Sequence, residues 1–130
     1  MYSEQTDDLI VNVTPEFLED HSRPHEGHFV WAYHITIINK GKRQVQLINR
    51  YWKIIDAYGR VQEVRGAGVV GEQPVLAPGQ EFSYTSGCPL ETPSGVMMGS
   101  YEMVAEDGSQ FDISIPTFSL DSPIANMAVN

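Results

Sequence analysis

Gly66-Ala67-Gly68-Val69-Val70-Gly71-Glu72-Gln73-Pro74-Val75-Leu76-Ala77-Pro78-Gly79 is the stretch on which the fold turns. Its first six residues spell G-x-G-x-x-G. That pattern cradles a dinucleotide when it leads from a strand into a helix of a βαβ unit. Here Pro74, Pro78 and Gly79 follow at once. Proline lacks the amide a helix interior needs, and glycine and proline together punctuate loops. Residues 72–79 therefore read as extended backbone, and the glycines as a loop between strands.

The flanking sequence agrees. In residues 28–39 the large side chains Phe29, Trp31, Tyr33, Ile35 and Ile37 all share one parity. A strand collects them on one face, whereas a helix would scatter them. Val11 and Val13 alternate within a first strand over 9–18, where Pro15 suits an edge position. Asn39-Lys40-Gly41-Lys42 carries hairpin turn chemistry. Val45 and Leu47 share one parity, but Trp52 and Ile54 share the other. The chain thus needs a β-bulge or a change of sheet near Asn49-Arg50.

Val61–Arg65 reads as a short strand after a turn at Tyr58-Gly59-Arg60. Pro78-Gly79 suits the centre of a type II turn. Alternation resumes at Phe82 and Tyr84, at Met97, Tyr101, Met103 and Ala105, and at Phe111, Ile113 and Ile115. The last two runs are joined by a hairpin loop at Glu106–Ser109. The expectation is an all-β, immunoglobulin-like or fibronectin type III-like sandwich of about seven or eight antiparallel strands. It spans 9–122, with a flexible N-terminal tail at 1–8 and a C-terminal tail at 123–130.

The chain has 130 residues, enough for one domain with its own core. No apolar run approaches the ~20 residues of a membrane helix. The single cysteine, Cys88, precludes an internal disulfide, and the acidic N-terminus does not resemble a signal peptide. These features point to the cytoplasm. The net charge of −9 opposes non-specific nucleic-acid binding. All eight basic residues nevertheless fall between Arg23 and Arg65, giving residues 40–65 a local positive field.

Several motifs closely resemble the ApaG family. They are Arg65–Pro74 with Leu76–Gly79, Tyr84-Thr85-Ser86-Gly87-Cys88, Glu91-Thr92-Pro93-Ser94-Gly95 and Met98-Gly99-Ser100-Tyr101-Glu102-Met103. Phe29–Tyr33 and Asn49-Arg50-Tyr51-Trp52 fit as well. The resemblance spans about residues 9–120, far more than a glycine hexad alone. It implies a fibronectin-type sandwich, a small bacterial protein, and a common dimer. It also implies an association with cobalt and magnesium tolerance, and pyrophosphate or nucleotide binding at Gly66, Gly68 and Gly71. Position 67 is often acidic in relatives; Ala67 removes that carboxylate here.

Read from the residues, the glycine loop supports either a sharp connection or an anion nest of backbone N–H groups, with Arg65 adding charge. The anion-binding candidates are Arg65, Gly66, Gly68 and Gly71. Arg50, Tyr51 and Trp52, at the phase change, are the partner-binding candidates, because aromatic and arginine side chains dominate hot spots. His21, His25 and His28 share a polar loop with Pro24 and Gly27, without a second ligand pair, and no metal ligand is assigned. Cys88 lacks a nearby base in sequence and reads as a packed thiol.

No catalytic constellation and no cofactor is assigned. The favoured reading is a non-catalytic protein-interaction module. The alternatives are a phosphate-ligand binder and, weakest, a metal-dependent phosphohydrolase. Expected partners are a protein, a phosphate or pyrophosphate, and a second copy, with neither nucleic acid nor membrane.

Overall fold

A computed structural model describes residues 1–123, and in it every long run of alternating side chains is a strand. The nine strands are β1 (Tyr2–Thr6), β2 (Leu9–Phe17), β3 (Phe29–Asn39), β4 (Val45–Asp56), β5 (Val61–Ala67), β6 (Val75–Leu76), β7 (Glu81–Leu90), β8 (Gly95–Ala105) and β9 (Gln110–Leu120). One sheet has the order β1-β2-β3-β7, the other β5-β4-β8-β9, and β6 adds to the start of β4. All pairings are antiparallel. The alternation places Trp31, Ile35 and Ile37 of β3 against Leu47, Met103, Ile113 and Phe118 of the facing sheet, all buried. The sandwich class read from the sequence is thus confirmed, with β1 and β6 as the additional strands.

The change of phase in residues 45–54 is a β-bulge, the register with β8 shifting between Leu47 and Asn49. Without it Arg50 would face solvent; with it Arg50, Trp52 and Ile54 share the inward face of β4. Residues 72–79 are extended as expected, and β6 lies within them. The turn at Pro78-Gly79 closes with Gln80 N–H donating to the Ala77 carbonyl at 3.0 Å, and Gly79 has φ +84°. That geometry fits type II.

Some expectations need correction. Residues 2–6 are not a loose tail but strand β1, in register with β2 from Tyr2↔Val13 to Thr6↔Leu9. The polar sequence of β1 hides it, because only Tyr2 and Thr6 are half-buried. Residues 39–42 are not a hairpin: they carry the chain from β3 in one sheet to β4 in the other. The buried Asn39 side chain holds that crossover, donating to the carbonyls of Arg43 (2.9 Å) and Leu76 (3.0 Å). The short strand expected at 61–65 runs on to Ala67 and takes in Gly66. Pro15 has a free edge beside it, since β1 covers β2 only as far as Val13. Apart from Pro123, the expected C-terminal tail lies outside the described residues.

The two sides of the sandwich differ. On one, β1 and β9 pack together. The Ser114 amide donates to Thr6 Oγ1 (3.0 Å) and the Ser119 amide to Tyr2 Oη (3.3 Å). On the other, the edges of β5 and β7 stay apart and a cleft runs between them. A file of aromatic rings crosses the core from the closed side to the open one: Tyr2 to Phe118 (5.9 Å), Phe118 to Trp52 (6.0 Å) and Trp52 to Tyr33 (5.1 Å).

Candidate functional site

The glycine motif sits on the open side, where the neighbour of β4 changes from β5 to β6. Gly68 N–H donates to the Ile48 carbonyl (2.8 Å) and Leu47 N–H to the Pro74 carbonyl (3.0 Å). Between them Val69 and Glu72 exchange two backbone bonds, of 2.8 and 2.9 Å, across Val70-Gly71. Both central residues have positive φ, 45° and 80°, the mark of a type I′ turn. A Cβ on Gly68, whose φ is +63°, would lie 2.2 Å from the Glu72 carbonyl oxygen. The motif is a miniature hairpin. It opens no helix.

Gly66 has a different task. It pairs with Arg50 across β4 and β5, and a Cβ there would lie 2.8 Å from the guanidinium carbon. The missing side chain lets Arg50 cross over β5. Its Nη1 donates to the carbonyls of Ala67 and Gly68, both at 3.0 Å. Its other N–H groups have no partner among the described residues, and no carboxylate there lies within the 4.0 Å of an ion pair. A half-buried guanidinium without a counter-charge is an attractive seat for an anion.

Around Arg50 the cleft divides into connected hollows. One of about 210 Å³ lies against Val70, Gly71, Tyr84 and Ser86. The next, about 240 Å³, shares Arg50 and Ser86 and continues past Val64, Cys88 and Pro89. A third, about 490 Å³, shares Pro89 and Gln62 and ends at His28, Arg60 and Glu91. Burial pushes the Cys88 thiol up to about 11, so it stays protonated and unreactive near neutrality. Burial likewise raises Tyr33 and Tyr84, while the charge of Arg50 pulls both the other way. Tyr84 meets Tyr101 hydroxyl to hydroxyl in the core. Around Arg50 the cleft therefore offers a cation without a counter-charge, neutral hydroxyls and apolar walls, while at its far end Arg60 is paired with Asp56 and Glu91.

The structure separates the candidates named from the sequence. Arg50 and Trp52 point inward and Tyr51 outward, and Trp52 is buried beneath the cleft. Arg65 lies on the outer face with Tyr51. Its guanidinium stacks 4.6 Å from the ring centre and its Nη2 is 3.5 Å from Glu63. Tyr51 Oη donates to Glu63 at 2.7 Å, the main reason its pKa is raised. Arg65 and Arg50 both line a separate hollow of about 470 Å³, which Glu102 and Asp112 also line. Of the anion candidates, Gly71 reaches the inner cleft, Gly66 makes room for Arg50, and the Gly68 amide is spent on Ile48.

Among the described residues no three His, Cys, Asp or Glu side chains converge as a metal site, and His21 and His25 are exposed. Tyr33, Tyr84 and Ser86 are cleft residues that the sequence does not reveal, because they come from strands whose spatial order it does not display.

The ApaG domain family model matches residues 19–105. The chain is 64% identical over 123 residues to Protein ApaG of Paramagnetospirillum magneticum, covering 95% of each chain. The chain belongs to the ApaG family. Protein ApaG of Brucella canis is 56% identical over 130 residues, the full length of both chains. A crystal structure from Bordetella pertussis, described as an ApaA protein, superposes with a TM-score of 0.87 at 51% identity. It covers 89% of this chain and 94% of that one. The ApaG match includes β3 to β8, and hence the whole open side. No helix of the described residues is long and apolar enough to cross a membrane.

Proposed function

We propose that this ApaG chain works by binding, as a non-catalytic protein-interaction module whose partner docks at the open side around Arg50. The observation that supports this reading is the uncompensated, half-buried Arg50 guanidinium beside apolar hollows. A charged group kept there without a carboxylate is costly unless something else meets it. A link to cobalt and magnesium tolerance would then be indirect, through the partner. Cross-linking and affinity capture from a cytoplasmic extract test it. Wild type should retain a defined partner and Arg50→Glu should lose it. If capture is the same with Arg50→Glu, the reading fails.

A second reading is a phosphate or pyrophosphate ligand. It rests on Arg50 together with the Val70 and Gly71 amides, which have no acceptor among the described residues. The charge in this site is that of Arg50, since Arg65 is engaged with Glu63 and Tyr51 on the outer face. Calorimetry with pyrophosphate, with and without Mg²⁺ or Co²⁺, tests it. No heat at millimolar ligand, which corresponds to only ~4 kcal/mol, removes it. A homodimer and a cytoplasmic location belong to the same proposal, and sedimentation and cell fractionation check them. A phosphohydrolase is disfavoured because Glu63, one of two carboxylates near the loop in sequence, is engaged on the outer face.

A further inference from the structure

We propose that the open side receives an extended peptide, added as a strand to the free edge of β7 with one of its carboxylates on Arg50. The inference rests on the binding-module reading and names the class of partner.

The hydrogen-bond parity of β7 carries the first part. Val30 gives its N–H to Ser22 Oγ (2.9 Å) and its carbonyl to the Leu18 amide (2.9 Å), so both point away from β7. Val30 pairs with Pro89. In an antiparallel ladder such a pair is non-hydrogen-bonded, and the backbone groups of Pro89 must also point away from β3. The other end gives the same answer. Asn39 N–H donates to the Gln80 carbonyl (3.0 Å), so the even-numbered residues bond to β3. Ser83, Thr85 and Gly87 therefore present both N–H and C=O to the cleft. Pro89 has no N–H and closes the series. A row of unpaired strand groups is what an added strand takes up.

The second part is apolar. Among the described residues, and apart from Met1, the large apolar side chains that stand exposed are Tyr58, Val61, Val70 and Val75. Of these, Val70 and Val61 border hollows of the cleft, at its two ends. Val70 is 55% exposed although it is β-branched and held at φ +45°. A strained, exposed valine at the mouth of a cleft is placed for contact. From Tyr84 to Leu90 the hollows run about 20 Å, room for about six extended residues.

The third part is charge. A carboxylate is the planar partner a guanidinium takes in two hydrogen bonds, and Arg50 keeps its Nη2 and Nε groups uncommitted. The partner is thus an extended peptide with alternate apolar side chains and an acidic group near one end.

Selection from a displayed library of random octapeptides tests this on the full chain. Enrichment of alternating apolar sequences with Asp or Glu is expected. A synthetic peptide made from the selected sequence should slow hydrogen exchange at the Ser83, Thr85 and Gly87 amides. Arg50→Gln should weaken it about tenfold or more. Thr85→Pro should do the same, because the lost N–H is on the free edge and the ladder to β3 is kept; circular dichroism checks its fold. The exchange pattern of wild type decides the matter even if that variant unfolds. Should the peptide bind but protect other amides, or ignore Arg50→Gln, strand addition is overturned while the binding-module reading survives. If the library yields nothing and capture also fails, both fall. If the three amides are already protected in a self-associated protein, the cleft is a dimer interface and the peptide proposal is overturned.

Discussion

The two seams of this sandwich solve the same problem in opposite ways. Each sheet ends in two edge strands whose backbone groups lack a neighbour. At the β1/β9 seam, side chains meet the need: Thr6 and Tyr2 accept from β9 amides, and Tyr2 packs on Phe118. At the β5/β7 seam no described residue does. The edges diverge, a cation replaces the plug, and the turn above it holds an exposed valine. The contrast teaches that the sheets can be sealed here with a few polar side chains. An open seam is therefore a property of particular residues, and the fold itself does not require it. Substitutions on the two sides should separate what holds the protein together from what it presents.

The largest effect is expected at the corner of the open seam. Gly68→Ala puts a Cβ 2.2 Å from a backbone oxygen at a positive φ. The left-handed conformation and the forced backbone shift together cost about 3 kcal/mol. Urea midpoints should show it, with hydrogen exchange quickening in β5 and β6 before β9. Gly71→Ala, also at positive φ but with open space around it, should cost only about 1 kcal/mol. Equal losses in the two variants would mean that the close contact is not what fixes the corner.

Next comes pH. Cys88 in the open seam keeps its proton to about 11, against an ordinary value of 9.0. Between those values the unfolded thiol ionises while the native one does not. The contribution is full below about pH 9 and is lost as pH rises through 11, roughly 2 kcal/mol by then. Raised Tyr33 and Tyr84 act in the same direction at higher pH. Cys88→Ala should flatten the decline between pH 9 and 11 in thermal melts. An unchanged slope would show that the thiol is not shielded as its burial suggests.

The closed seam should respond more gently. Tyr2→Ala removes one ring contact and one hydrogen bond, worth about 1.5 kcal/mol together. Exchange should quicken at the Ser114 and Ser119 amides and stay unchanged in β7. Equal quickening on both sides would mean that the ring file from Tyr2 to Tyr33 couples the seams.

Much of this contrast is written in the sequence, but unevenly. The parity of 29–37 and its reversal after Leu47 are one-dimensional signals, so β3 and the bulge at Asn49 can be read directly. Prolines at 74 and 78 likewise exclude a helix by local chemistry alone. The closed seam is illegible because β1 is polar and gains its place from pairing. The second phase change, in β9 between Ile115 and Phe118, hides behind Pro116. The candidate site was half legible. Arg50 stood out at the phase change, but its alignment with Gly66 depends on the β4–β5 register, and its neighbours Tyr33 and Ser86 come from another sheet. Arg65 stood beside the glycines in sequence, yet strand alternation turns it to the opposite face.

The smallest effect expected on stability is also the most telling, because its sign is favourable. Val70 occupies the first central position of a type I′ turn, where a β-branched side chain is out of place and asparagine before glycine is preferred. Val70→Asn should raise stability by about 1 kcal/mol through relief of the left-handed strain. It should also remove an apolar contact from the lip of the cleft, so peptide affinity should fall as stability rises. A gain in both would show that the valine is an accident of the turn. A gain in stability with a loss of binding would show that the open seam keeps its strain for the sake of what it holds.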